Sequence, residues 1–307
     1  MMAFIQYTMQ IIMAFLMISM ISIILPRATV SAKRVIQVIE TDSSVKDPAT
    51  IQKTDKNKKG IVEFKNVCFR YPDANEDVIT DVNFTAKPGE TIAFIGSTGS
   101  GKSTLINLIP RFYDVTEGAI LVDGVDIRNM KLDDLRAKIG YVPQKGILFS
   151  GTIESNIKYG DSKITDKKMK EAASIAQATE FIESKPEGYN SPIAQGGTNV
   201  SGGQRQRLSI ARAIAMDPDI YIFDDSFSAL DFKTDAKLRS ELKKVTKNSI
   251  VFIVAQRVST IMNANQIIVL DEGKVAGIGT HKELLERCDV YREIALSQLS
   301  EEEINNA

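Results

Sequence analysis

The pattern of apolar and polar positions changes character twice along the chain. From Met1 to Pro26 there is no charged residue, and Ala3 to Leu25 is dominated by Ile, Met, Phe and Leu. A stretch of that length and apolarity reads as one membrane-crossing helix. Gln6, Tyr7, Thr8, Gln10, Ser19 and Ser22 make it less oily than a simple anchor, which suits a helix packed against others. A signal peptide is disfavoured, since no basic leader and no small-residue cleavage site are present; a buried soluble helix is the other alternative. Arg27, Lys33 and Arg34 follow directly. Positive charge marks the cytoplasmic side, so the rest of the chain is expected in the cytosol at the cell membrane.

Val30 to Ile39 reads as a helical continuation. Glu40 to Gly60 is polar and without period, including the run Lys53-Thr54-Asp55-Lys56-Asn57-Lys58-Lys59, and reads as a linker. The expected division is therefore 1–39, 40–60 and 61–307. Beyond Ile61 the pattern becomes α/β. Ile61–Phe64 and Val67–Phe69 look like antiparallel edge strands. Thr91–Ile95, Ile220–Phe223 and Ile250–Val254 are short, almost wholly apolar runs, as strands buried on both faces of a parallel sheet are. Helices are expected over Ser103–Ile109, Thr165–Phe181 and Gln204–Met216, the last stopped by Asp217-Pro218.

Composition narrows the function. Lys and Arg number 38 against 39 Asp and Glu, a net charge of −1, so no basic footprint for nucleic acid exists. Cys68 and Cys288 are far apart and form no CxxC pattern. His281, the lone histidine, lies in Thr280-His281-Lys282-Glu283, a capping box that opens a helix, and a structural role is preferred for it.

Gly96-Ser97-Thr98-Gly99-Ser100-Gly101-Lys102-Ser103 fits GxxxxGK[ST] at every position, between an apolar strand and a helix. Its glycines let backbone amides wrap phosphates. Lys102 is expected to reach the β- and γ-phosphates of ATP, and Ser103, followed by Thr104, to meet Mg2+. Asp224 ends an apolar strand, where a magnesium-positioning carboxylate belongs, and Asp225 follows, placed to orient attacking water. Ser201-Gly202-Gly203-Gln204 opens a second helix with a capping serine.

In this order the motifs resemble those of an ATP-binding cassette exporter half-transporter, from its last membrane span to the end of its nucleotide-binding domain. The resemblance implies a P-loop cassette with a mixed sheet, an antiparallel β edge and a helical subdomain, preceded by one transmembrane helix. Tyr71 (Phe69-Arg70-Tyr71-Pro72) is similar to the aromatic that stacks on adenine, and Gln144 (Tyr141-Val142-Pro143-Gln144) to the glutamine that contacts Mg2+. Ser201 to Gln204 matches the signature motif and Ser228-Ala229-Leu230-Asp231 the D-loop.

Three positions depart from the family pattern. Asp225 stands where a catalytic glutamate is usual, Gln256 where a γ-phosphate-sensing histidine is usual, and Ile193-Ala194-Gln195-Gly196-Gly197 lacks a common Glu-Arg pair. Aspartate is one methylene shorter, and a displacement of ~1 Å in such a site can slow turnover roughly 100-fold. Glutamine hydrogen-bonds but carries no titratable imidazole. With the signature intact, the resemblance implies a heterodimer of the bacterial multidrug type, in which this chain binds ATP, hydrolyses it slowly and completes a second half-transporter's site. A homodimeric exporter and a regulatory subunit are the alternatives. A soluble cassette ATPase acting on nucleic acid or an importer subunit fits the apolar N-terminus less well.

Overall fold

The computed structural model describes residues 1–55, 58–161 and 163–299. Lys56 and Asn57 of the expected linker, with Ser162 and residues 300–307 of the expected cassette, lie outside the described residues. The chain divides into two units, Met1–Ser44 and Val45–Ala307.

The first unit is built on one helix, α1 (Met2–Ile39), which runs unbroken through Pro26. The hydroxyls of Thr8, Ser22 and Thr29 donate to the carbonyls four residues back at 2.8, 2.9 and 2.8 Å. These three hydroxyls are thus satisfied within the helix, as an apolar solvent demands. An 18-residue window has a mean hydropathy of 2.3, and the helix is long and apolar enough to cross a membrane. None of its side chains is buried.

The second unit is a mixed α/β cassette. Its main sheet has the order β12-β11-β3-β10-β9-β6. The strands are β3 (Thr91–Gly96), β6 (Ile139–Val142), β9 (Ile220–Asp224), β10 (Ile250–Val254), β11 (Gln266–Asp271) and β12 (Lys274–Gly279). All neighbours are parallel except β11 and β12. Alternate residues feed two cores. Ala93, Ile95, Tyr221, Phe223, Val251 and Ile253 face one, and Ile92, Phe94, Ile220, Ile222, Ile250 and Phe252 face the other. With both faces covered, each central strand has no polar side, which explains the continuous apolar runs.

A second sheet, β2-β1-β4-β5, is antiparallel and consists of β1 (Val62–Phe69), β2 (Ile79–Ala86), β4 (Glu117–Val122) and β5 (Val125–Asp126). The two expected edge strands are here corrected. Ile61–Phe64 and Val67–Phe69 belong to the single strand β1, which lies between β2 and β4. The register shifts between Phe64 and Val67, where Asn66 takes φ 47°. This irregularity breaks the alternation that the sequence displays as two short runs.

A helical group covers the edge beside β6: α4 (Ile153–Ile157), α5 (Asp166–Ile175), α6 (Thr179–Glu183) and α7 (Gly202–Met216), with the short pair β7 (Gly151–Thr152) and β8 (Pro192–Ile193). The single helix expected over Thr165–Phe181 is in fact two. Gln177 takes φ 56°, its N–H donates to Ser174 O, and Ala178 N–H donates to Ala173 O. That is a Schellman ending in which glutamine occupies the position glycine usually fills.

The remaining helices are α2 (Lys102–Leu108), α3 (Leu132–Ala137), α8 (Phe232–Val245), α9 (Val258–Ile261), α10 (His281–Arg287) and α11 (Asp289–Leu296). The Thr280–Glu283 capping box forms, and His281 is buried with Nδ1 2.6 Å from the Tyr291 hydroxyl. Part of the polar stretch 40–60 is bonded into the second unit. Asp47 Oδ1 accepts from Leu132 N–H at 2.7 Å, and Gln52 and Asp55 N–H groups donate to Asn129 and Asp123 carbonyls, both at 3.0 Å.

Candidate functional site

Strand order, not sequence order, assembles the site. β3, β10, β9 and β6 are successive parallel neighbours, with Val254 paired to both Phe94 and Asp224, and Val142 to Phe223. Four loops therefore leave the same edge side by side: Gly96–Ser103 after β3, Ala255-Gln256 after β10, Asp225 after β9 and Pro143-Gln144 after β6. The carboxyl edge of a parallel sheet is where such folds bind ligands.

The loop after β3 begins at Gly96, φ 154°, where a Cβ would fall 2.0 Å from the Leu270 carbonyl oxygen of β11. Only glycine lets the chain turn so close to the neighbouring strand. Ser97, Thr98 and Gly99 are exposed, Ser100 is buried, and Gly101 precedes α2. Lys102 Nζ donates to the Gly96 carbonyl at 3.0 Å, the Ser97 carbonyl at 2.6 Å and Ser100 Oγ at 3.2 Å. Burial lowers its pKa, and the charges of Asp224 and Asp225 oppose that shift. The neighbouring Ser103 hydroxyl donates to Asp224 Oδ1 at 3.0 Å.

Asp225 is the meeting point. Its Oδ2 accepts from Gln256 Nε2 at 2.9 Å and from Gln144 Nε2 at 3.2 Å. Its backbone takes φ 44°, its N–H donates to Val254 O at 3.0 Å, and its carbonyl accepts from Ser228 Oγ at 2.8 Å. Asp224 and Asp225 are both buried, and burial raises both carboxyl pKa values. The Ser103 bond opposes the rise at Asp224 and the Gln144 bond opposes it at Asp225.

Tyr71 meets α2 at Thr104. Its hydroxyl lies 3.0 Å from Thr104 Oγ1, and its ring meets Phe69 and Tyr113 edge-on. Ser201 caps α7: its Oγ accepts from Gln204 N–H at 3.2 Å, and Gln204 Oε1 accepts from Ser201 N–H at 3.1 Å. Among the described residues, neither the Ser201 nor the Gln204 side chain bonds to the cluster around Asp225. A Cβ on Gly203 would lie 3.3 Å from the Ala229 carbonyl oxygen, so the start of α7 abuts the segment after Asp225. Asp231 ends that segment and caps α8, accepting from Thr234 N–H at 3.0 Å.

Residues 79–228 match the family model described as ABC transporter. The chain carries an ABC transporter ATP-binding domain. An uncharacterized ABC transporter ATP-binding protein of Mycobacterium tuberculosis is 46% identical over 299 residues, which are 96% of this chain and 51% of that protein. A putative multidrug export ATP-binding/permease protein of Staphylococcus aureus is 42% identical over 260 residues, 85% of this chain and 45% of that one. The chain spans about half the length of the curated relatives it matches. Among solved structures, an ATP-bound bacterial Atm1-family ABC exporter aligns with a TM-score of 0.83 and 34% identity, covering 90% of this chain and 48% of that one.

Two side chains that position the ATP-binding domain's loops escaped the sequence reading. Gln206, buried on α7, accepts from Gly146 N–H at 2.9 Å and donates to the Pro143 carbonyl at 3.2 Å, which fastens the loop carrying Gln144. Ser226, fully buried, donates to the Val142 carbonyl at 2.9 Å and so ties the segment after Asp225 to β6. Their sole sequence signal is a polar residue at an apolar-face position, which names no partner.

Proposed function

We propose that this chain is the nucleotide-binding part of an ABC exporter, with α1 as its last membrane span and the cassette in the cytosol. Its own site binds Mg-ATP and hydrolyses it slowly, and it works as a heterodimer with a second half-transporter whose cassette is catalytically competent. Small lipophilic compounds are the proposed cargo, on the strength of the multidrug description carried by the Staphylococcus aureus relative.

The observation that carries this reading is the Asp225 carboxylate. One of its oxygens accepts two amide N–H groups, from Gln144 and Gln256. Each bond favours the charged, accepting carboxylate and occupies lone pairs that would otherwise serve water. In the proposed roles, Lys102 exchanges its loop carbonyls for the β- and γ-phosphates, and Tyr71 supports the adenine. Asp225 orients water from a position one methylene short, and Gln256 contacts the γ-phosphate as a neutral donor. The backbone of Gly96–Thr104 surrounds the phosphates. Ser201–Gln204 and Asp231 serve the nucleotide held by the partner.

Mg2+ fits the donor set. Ser103 and Asp224 already lie 3.0 Å apart, and with the Gln144 amide oxygen they offer hard ligands in the small number that suits a phosphate-bound Mg2+. When bound, the ion offsets phosphate charge.

The test is steady-state ATPase of the chain, with Mg-ATP binding measured in parallel, for the wild type and for Asp225→Glu combined with Gln256→His. Tight binding with little turnover, and a rise of about 10- to 100-fold in the double variant, is the expected result. Brisk turnover by the wild type alone would overturn the slow-site reading and favour a homodimeric exporter.

A further inference from the structure

Gln256 lies on the turn between β10 and α9, and that turn is held from outside. Gln298, just beyond the end of α11, accepts at Oε1 from Val258 N–H at 2.9 Å and donates from Nε2 to the Gln256 carbonyl at 2.8 Å. A single amide thus bonds the turn at both ends, as a paired strand would. Val258 is the first residue of α9, so its N–H has no acceptor within that helix. Gln298 is fixed in turn: its N–H donates to Ala295 O at 3.1 Å, and the buried Ala295 and Tyr291 anchor α11 to the core. The same turn borders a cavity of about 460 Å3 whose lining includes Asp225, Phe227, Ser228, Arg257 and Leu299, so the side-chain amide of Gln298 meets the turn at the edge of an open space.

We propose that Gln298 is a positioning residue for the nucleotide site. It holds the backbone of Gln256 so that the side chain reaches Asp225 and, in the bound state, the γ-phosphate. The proposal rests on the reading of Gln256 as a γ-phosphate contact. It makes the end of α11 a determinant of how the site distinguishes ATP from ADP.

The experiment uses the whole chain in detergent and measures affinities for Mg-ATP and Mg-ADP separately. The variants are Gln298→Ala, Gln298→Met, Gln256→Ala, and Gln256→Ala with Gln298→Ala. Gln298→Met keeps the length of the side chain without its hydrogen bonds, and serves if the alanine variant folds poorly. Loss of a hydrogen bond or two in such a turn corresponds to a preference for ATP over ADP reduced about 5-fold. The expected result is that loss in both Gln298 variants, ADP affinity within about 2-fold of wild type, and no further loss in the double variant. An unchanged preference in the Gln298 variants beside a reduced one in Gln256→Ala overturns the positioning role and leaves the Gln256 reading intact. An unchanged preference in Gln256→Ala overturns both. Equal losses of ATP and ADP affinity in the Gln298 variants mark a purely structural role and also overturn the proposal.

Discussion

At the ends of β3, β10, β9 and β6, side chains from four separate segments bond to one another: Ser103 to Asp224, and Gln144 and Gln256 to Asp225. At the start of α7 the pattern is inward-looking. Ser201 and Gln204 bond to each other, Ser201 and Gly202 remain exposed, and among the described residues neither side chain is drawn into a wider network. The first region is a polar cluster whose geometry depends on distant parts of the chain. The second is a helix start whose capping bonds are local. A surface preformed in this way suits a group that completes a site on another molecule, since no rearrangement of its own core is needed. The two regions meet where Gly203 abuts Ala229, the residue after the Ser228 that bonds Asp225.

Removing the cation is the most severe way to break the comparison. Lys102→Ala takes away three hydrogen bonds to the loop and the charge proposed to meet the phosphates. The expected loss of Mg-ATP affinity is about 100-fold, measured by equilibrium titration. The start of α7 does not depend on this cluster, so the thermal stability of the chain should change far less. A variant that binds Mg-ATP as well as the wild type would remove the phosphate-cradle reading of Gly96–Ser103.

A smaller effect is expected at the second region. Ser201→Ala deletes the acceptor for Gln204 N–H and should destabilise the chain by about 1 kcal/mol, read from denaturant unfolding. Mg-ATP affinity of the isolated chain should stay within about 2-fold, because Ser201 bonds to nothing in the Asp225 cluster. Equal damage to both properties would show that the two regions are coupled more tightly than their bonds suggest. In a reconstituted heterodimer the same change is expected to depress turnover at the partner's site.

The two regions also differ in how far the sequence discloses them. The glycine pattern of the phosphate loop and the capping box at Ser201 are local, and both are legible because the residues that bond are near neighbours. The apolar runs of β3, β9 and β10 are equally plain, since burial on both faces leaves no polar alternation. The convergence on Asp225 is not legible. It depends on β10 lying between β3 and β9, an order that the sequence does not follow. Asn66 and Gln177 hide two features for a different reason. Each takes a positive φ without the glycine that usually announces it, so β1 reads as two strands and α5 with α6 as one helix. Gln206 and Gln298 are silent because an amide that bonds backbone 40 or more residues away leaves no periodic trace.

The smallest effect sharpens the comparison most, because its sign differs between the regions. Asp225 is buried, and its carboxyl pKa is raised above the ordinary 3.8. The folded chain then holds that proton to higher pH than the unfolded chain. Stability from this group therefore grows as pH falls through the folded pKa, and levels off below about 3.8. Asp231 is exposed and caps α8, and the bonds from Thr234 lower its pKa. Its contribution is present above 3.8 and is lost as pH falls through the depressed folded value. Asparagine retains a capping oxygen at Asp231 and an acceptor at Asp225, so Asp→Asn at each position isolates the charge. Melting temperatures from pH 7 to pH 3 should show opposite trends. The wild type gains on Asp225→Asn as acid is added and loses its lead over Asp231→Asn, each by about 1–3 °C. Parallel trends would mean that the charge of Asp225 is compensated in the folded chain as fully as that of Asp231, and that its amide partners outweigh its burial.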